Sequence, residues 1–82
     1  MPMSTLDKEQ EIRVVQISEG GSKINLDDGS KWKTAPYFKQ EVFDHWRHGD
    51  RVVIREVSDD PGYPWTIFNR EENLEVAARR IN

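Results

Sequence analysis

Along most of the chain, hydrophobic and polar residues alternate with a period of two, in short runs punctuated by Gly, Pro and Asp. Such alternation puts successive side chains on opposite faces of an extended backbone, the pattern of a half-buried strand. The first run is Glu11 to Ser18, where Ile12, Val14, Val15 and Ile17 provide β-branched bulk. The adjacent pair Val14-Val15 breaks the alternation and predicts a bulge or local twist. Gly20-Gly21 then permits the positive φ angles of a tight reversal, after which Ile24 and Leu26 alternate with polar neighbours. Asp28-Gly29 predicts a type I′ turn into a third strand, Ser30 to Thr34. There Trp32 is in phase with Ile24 and Leu26, while Lys31 and Lys33 fall on the outer face.

Between Pro36 and His48 the period lengthens. Phe38, Val42, Phe43 and Trp46 recur at three- and four-residue steps, as the apolar face of a short helix does. Pro36 suits its first turn and Gly49 its C-terminal stop. Arg51 to Ser58, with Val52, Val53, Ile54 and Val57, reads as a fourth strand. Asp60-Pro61-Gly62-Tyr63 has Pro and Gly at the central positions of a type II turn, and Pro64 keeps Tyr63 extended. Trp65 to Asn69 forms a further strand. After a reversal at Glu71 to Asn73, alternation continues through Leu74, Val76 and Ala78.

The expected fold is therefore mainly β: a small antiparallel barrel of five to six strands, OB-like or SH3-like, with one short helix between strands 3 and 4. A sheet this small shields its apolar face best by curling closed, which also removes exposed edges. Residues 1–10 are polar and aperiodic and are expected to form a flexible lead-in, leaving 11–82 as a single domain.

The residues Asp28-Gly29-Ser30-x-Trp32, Trp46-x-x-Gly49-Asp50 and Tyr63-Pro64-Trp65-x-Ile67-x-Asn69 together resemble a group of small, uncharacterised bacterial β-barrel proteins. The resemblance covers roughly the middle two thirds of the chain and consists of turn and core residues. It implies the barrel fold and carries no catalytic or binding residue with it.

Composition narrows the picture. At 82 residues the chain holds one core, and Trp32 and Trp46 are assigned to it because so small an interior needs bulky filling. The absence of cysteine excludes disulfides, thiolate metal sites and thiol nucleophiles. A net charge of −3 offers no global attraction to nucleic acid or anionic lipid, so any such binding requires a local patch. No signal peptide and no bilayer-length apolar run is visible, so a cytoplasmic protein with no membrane partner is expected, an exported one whose signal has been removed being the alternative.

Candidate chemistry is sparse. His45 and His48 fall three apart, with Glu41 one turn earlier, a spacing that offers two nitrogens and an oxygen to zinc; the same residues also suit the polar face of a short helix, and no metal site is assigned. Asp27-Asp28 and Asp59-Asp60 precede turn residues, where Asp serves local hydrogen bonding rather than calcium. There is no nucleophile elbow and no phosphate-cradling glycine loop, so neither an enzyme nor a cofactor is expected.

Two surfaces remain. Tyr63-Pro64-Trp65, with Tyr37-Phe38, is the candidate contact for a protein or peptide partner, since Tyr and Trp supply large contact area at low entropic cost. The same aromatics would alternatively plug the barrel ends. The second reading is an OB-like binder of single-stranded nucleic acid using Lys31, Lys33, Arg51 and Arg55, with Arg79-Arg80 either extending the strip or forming a solvated terminus.

Overall fold

The computed structural model describes residues 12–82; the lead-in expected over 1–10, and Glu11 at the start of the first strand, lie outside the described residues. Six strands follow in chain order: β1 (Ile12–Ser18), β2 (Lys23–Leu26), β3 (Lys31–Thr34), β4 (Arg51–Arg55), β5 (Trp65–Asn69) and β6 (Leu74–Arg80). One helix, α1 (Lys39–His45), lies between β3 and β4 and is preceded by a 3-10 turn, Pro36–Phe38. The strands close into a barrel in the order β1-β2-β3-β6-β5-β4, with every pair antiparallel and β4 returning to β1. Two three-stranded meanders are thus joined along two seams, β3 with β6 and β1 with β4, and the closed sheet has no free edge.

Register follows burial. Ile24 pairs with Trp32, Thr34 with Ala78, and Ile67 with Val76, so that inward residues sit beside inward residues. The expected bulge is present: pairing with β2 slips between Val14 and Gln16, leaving Val14 in the core and Val15 exposed. Trp32 and Trp46 are the largest interior side chains, only 1% and 2% exposed. Trp46 arrives from outside the sheet. It caps the C-terminal end of α1, its amide donating to Val42 O at 3.0 Å, so that Val42 and Trp46 enter the core from the helical segment. Trp65 packs edge-on against Trp32, with centroids 5.3 Å apart and planes at 70°, a geometry that contributes about 0.5–1.5 kcal/mol beyond area burial.

Four local expectations are corrected. Phe43 does not join the apolar face of the helix but stands 57% exposed. The backbone of α1 is seated directly on the β1–β2 turn: a Cβ built on Gly21 would lie 2.2 Å from Lys39 O and 2.8 Å from Phe43 N. That close approach leaves the Phe43 ring outside the barrel.

The β2–β3 turn is a three-residue loop rather than a type I′ turn. Gly29 N donates to Leu26 O and Leu26 N to Ser30 O, both at 3.0 Å. Only Gly29 takes positive φ there; Asp28 does not, because its carboxylate accepts the Ser30 amide at 2.9 Å and holds the local turn.

Nor is Asp60 to Tyr63 a type II turn, since Gly62 has no positive φ. Tyr63 N donates to Asp60 O at 3.1 Å, and Asp60 Oδ1 accepts Gly62 N at 2.9 Å. Finally, β4 ends at Arg55, where it pairs with Thr66, and the chain then leaves the sheet with Val57 65% exposed.

Two sets of buried polar groups are tied locally. Trp32 Nε1 donates to Ser30 Oγ at 2.7 Å, and Ser30 Oγ donates to Asp28 Oδ1 at 2.5 Å. Burial pushes the Asp28 carboxyl up, but these Ser30 bonds and the charge of Arg80 outweigh it and hold the carboxyl below its ordinary value. Asn69, fully buried, donates to Asp50 and accepts the amides of Glu71 and Glu72, which fixes the β5–β6 turn.

Candidate functional site

One concavity lies on the outside of the barrel. Along β5 and β6, Thr66 and Ala77 face each other as a cross-strand pair on the outward side, and two small side chains leave a floor that their longer neighbours do not fill. One wall is the 3-10 turn carrying Tyr37 and Phe38; the other is the segment after β4, with Val57 and Asp60. The result is an open cleft of about 430 Å³. Arg55 and Glu75 also line it, their charged ends 3.8 Å apart and largely in water. Arg55 additionally lies over the Phe68 ring, 5.7 Å from its centroid.

Asp60 locks this cleft. Its Oδ1 closes its own turn on Gly62, while its Oδ2 accepts the Tyr37 hydroxyl at 2.6 Å. The Tyr37 hydrogen bond, followed by the Gly62 amide, holds the Asp60 carboxyl below its ordinary value. The same bond to Asp60 pushes the Tyr37 phenol up. Tyr37 is thus 67% exposed yet held in place, and its ring leans on Phe38 with centroids 4.8 Å apart. A second, shallower hollow of about 410 Å³ lies on the other side of this aromatic ridge, against Gln40, Glu41, Asp44 and His45 of α1.

The structure sorts the expected contact residues into two groups. Tyr37 and Tyr63 meet around Asp60, one by its hydroxyl and the other by its amide. Trp65 does not join them: it is half-buried, packs against the core and closes it beside Trp32.

The four cations expected to form one surface are divided. Lys31 and Lys33 point outward from β3, whereas Arg51 and Arg55 sit on β4, with two strands between in either direction around the barrel. Arg51 is bound to Glu71, Nε to Oε2 at 2.6 Å, and that bond holds the Glu71 carboxyl below its ordinary value. Beside Lys33 the register places Lys23 on one side and Arg79 on the other. The sequence offers Arg79 as an extension of a basic strip; Lys23 was missed, because only its pairing with Lys33 brings it there.

Of the paired carboxylates, Asp28 and Asp60 make the expected local bonds, while Asp27 reaches across to the Arg13 amide at 3.1 Å. His45 and His48 are both exposed, and among the described residues no group of three or more His, Asp or Glu is placed to hold a metal ion. Among the same residues no helix is long and apolar enough to cross a membrane. No family model matches the chain, and neither curated proteins nor solved structures show a significant similarity to it.

Proposed function

We propose that the barrel is a non-catalytic binding module that takes a protein or peptide segment in the cleft between Tyr37 and Val57. One observation carries the reading: an exposed aromatic, Tyr37, is pinned by Asp60 at the lip of a concavity with a small-residue floor. A partner side chain entering over Thr66 and Ala77 meets the aromatic wall of Tyr37 and Phe38 already in position, so little ordering accompanies binding. Arg55 and Glu75, at the edge, offer one donor and one acceptor group to a backbone or side chain of the partner.

Selection of a random peptide library on the immobilised barrel tests this. Enriched peptides are expected to shift the amide resonances of Tyr37, Val57 and Thr66, and to lose at least about tenfold in affinity against Tyr37→Ala, the size of an aromatic hot spot. Peptides that bind Tyr37→Ala as well as the native chain, or a library that yields no enrichment, would count against the cleft.

A further inference from the structure

We propose that the outward wall of β2, β3 and β6 binds the phosphate backbone of a single-stranded nucleic acid through Lys23, Lys33 and Arg79. None of these three residues lines the peptide cleft. Lys33 stands opposite Lys23 in one seam and opposite Arg79 in the next, so the three form a row across adjacent strands. At the spacing of paired strands the row is about 10 Å long. Its outward neighbours along these strands are Asn25, Lys31, Ala77 and Ile81, and none of these seven residues is acidic.

This distribution is unusual for the chain as a whole, which carries 15 acidic against 12 basic residues. The two ion pairs among the described residues, Arg51 with Glu71 and Arg55 with Glu75, both lie elsewhere, and among these residues Lys23, Lys33 and Arg79 have no acidic partner. Like charges placed directly opposite one another weaken a sheet. A polyanion lying along the row removes that repulsion and gains charge-assisted contacts at each position.

The neighbouring aromatic selects the class of polyanion. The guanidinium of Arg79 lies over the Tyr63 ring, 5.5 Å from its centroid, at the end of the row. A guanidinium plane backed by a ring is a stacking surface for a base beside a track of phosphate contacts. The row itself is made of cations, and Ile81, exposed just past β6, offers too little apolar surface to enter a membrane. On the convex wall of a barrel, a flexible single strand can follow the cations where a stiff duplex cannot.

The test uses the full chain and a fluorescein-labelled single-stranded DNA of mixed sequence, about 12 nucleotides long, followed by anisotropy. Binding is expected at low salt, with log affinity falling against log salt at a slope of about −2, the value for three phosphate contacts on a single strand. Lys33→Glu is expected to lower the affinity at least about tenfold. Its thermal midpoint should hold or rise, because a carboxylate between Lys23 and Arg79 relieves the repulsion, so lost binding cannot be lost folding. Arg70→Gln, just past the opposite end of β5, should bind as the native chain does. The proposal is overturned by absence of binding at low salt, by equal losses in Lys33→Glu and Arg70→Gln, or by undiminished binding in Lys33→Glu. Displacement of the oligonucleotide by polyglutamate as readily as by unlabelled strand, or tighter binding of the corresponding duplex, overturns it equally.

Discussion

The Tyr37 hydroxyl donates a 2.6 Å hydrogen bond to Asp60 Oδ2, joining the turn before α1 to the turn before β5 across 23 positions of sequence. Since this one contact sets both walls of the cleft, its pH dependence should report on the cleft itself. The Asp60 carboxyl is held below its ordinary value of 3.8 by the Tyr37 hydroxyl and then by the Gly62 amide. A lowered carboxyl favours the folded state above the unfolded value, and that contribution is lost as pH falls through the folded value. The phenol, raised above 10.0 chiefly by the same bond, contributes below that value and ceases to contribute as pH rises through its folded one. In Tyr37→Phe, the Asp60 carboxyl should titrate closer to 3.8, measurable by its side-chain carbon resonance. An unmoved titration would mean that the bond does not hold in solution.

The two buried tryptophans should respond unequally to the same change. Trp32 Nε1 is bonded to Ser30 Oγ, whereas Trp46 Nε1 is buried without a hydrogen-bond partner among the described residues. Both Trp→Phe variants lose packing. Trp32→Phe also gives up the bond to Ser30, whose hydroxyl keeps its bond to Asp28, whereas Trp46→Phe gives up no such bond; Trp32→Phe should therefore cost about 1 kcal/mol more than Trp46→Phe in denaturant unfolding.

Glycine substitution separates turn conformation from close packing. Gly29, at φ +90°, has nothing within 4 Å of an added Cβ, so Gly29→Ala should cost only the left-handed penalty of about 1–2 kcal/mol. Gly21, at φ +100°, meets the α1 backbone, so Gly21→Ala should cost that penalty and also displace the helix. A total above about 3 kcal/mol, with altered Trp46 fluorescence, is the expected result. Equal destabilisation of the two variants would contradict the packing of α1 on this turn.

Neutralising the centre of the cation row should stabilise the protein. Lys33→Gln removes two cross-strand repulsions at once, against Lys23 and against Arg79. A gain of about 0.5 kcal/mol, or roughly 2–4 °C in Tm, is expected at low salt and should shrink as salt is added. A fall in Tm would show that Lys33 contributes more through its aliphatic stem than it costs by its charge.

What could be read without coordinates was whatever depends on near neighbours in the chain. Alternation at Ile24, Leu26 and Trp32 gave the strands and their buried faces; Val14-Val15 marked the bulge; the change of period after Pro36 marked the helix. The turn types were misjudged at Asp28-Gly29 and Asp60 to Tyr63, because the Asp side chains bond nearby amides and override the φ preference suggested by the following Gly. Everything that places one distant segment against another was decided by the tertiary structure. The seam between β3 and β6 sets Lys33 against Arg79, the fold brings Asp60 to Tyr37, Gly21 meets α1, and Trp65 turns inward while Tyr37 stays out. Hydrophobic alternation tells which face of a strand is buried, but it is the same for every strand and so cannot say which two will be neighbours. That choice is made only when the sheet closes around the two indole rings and all strands must share one interior.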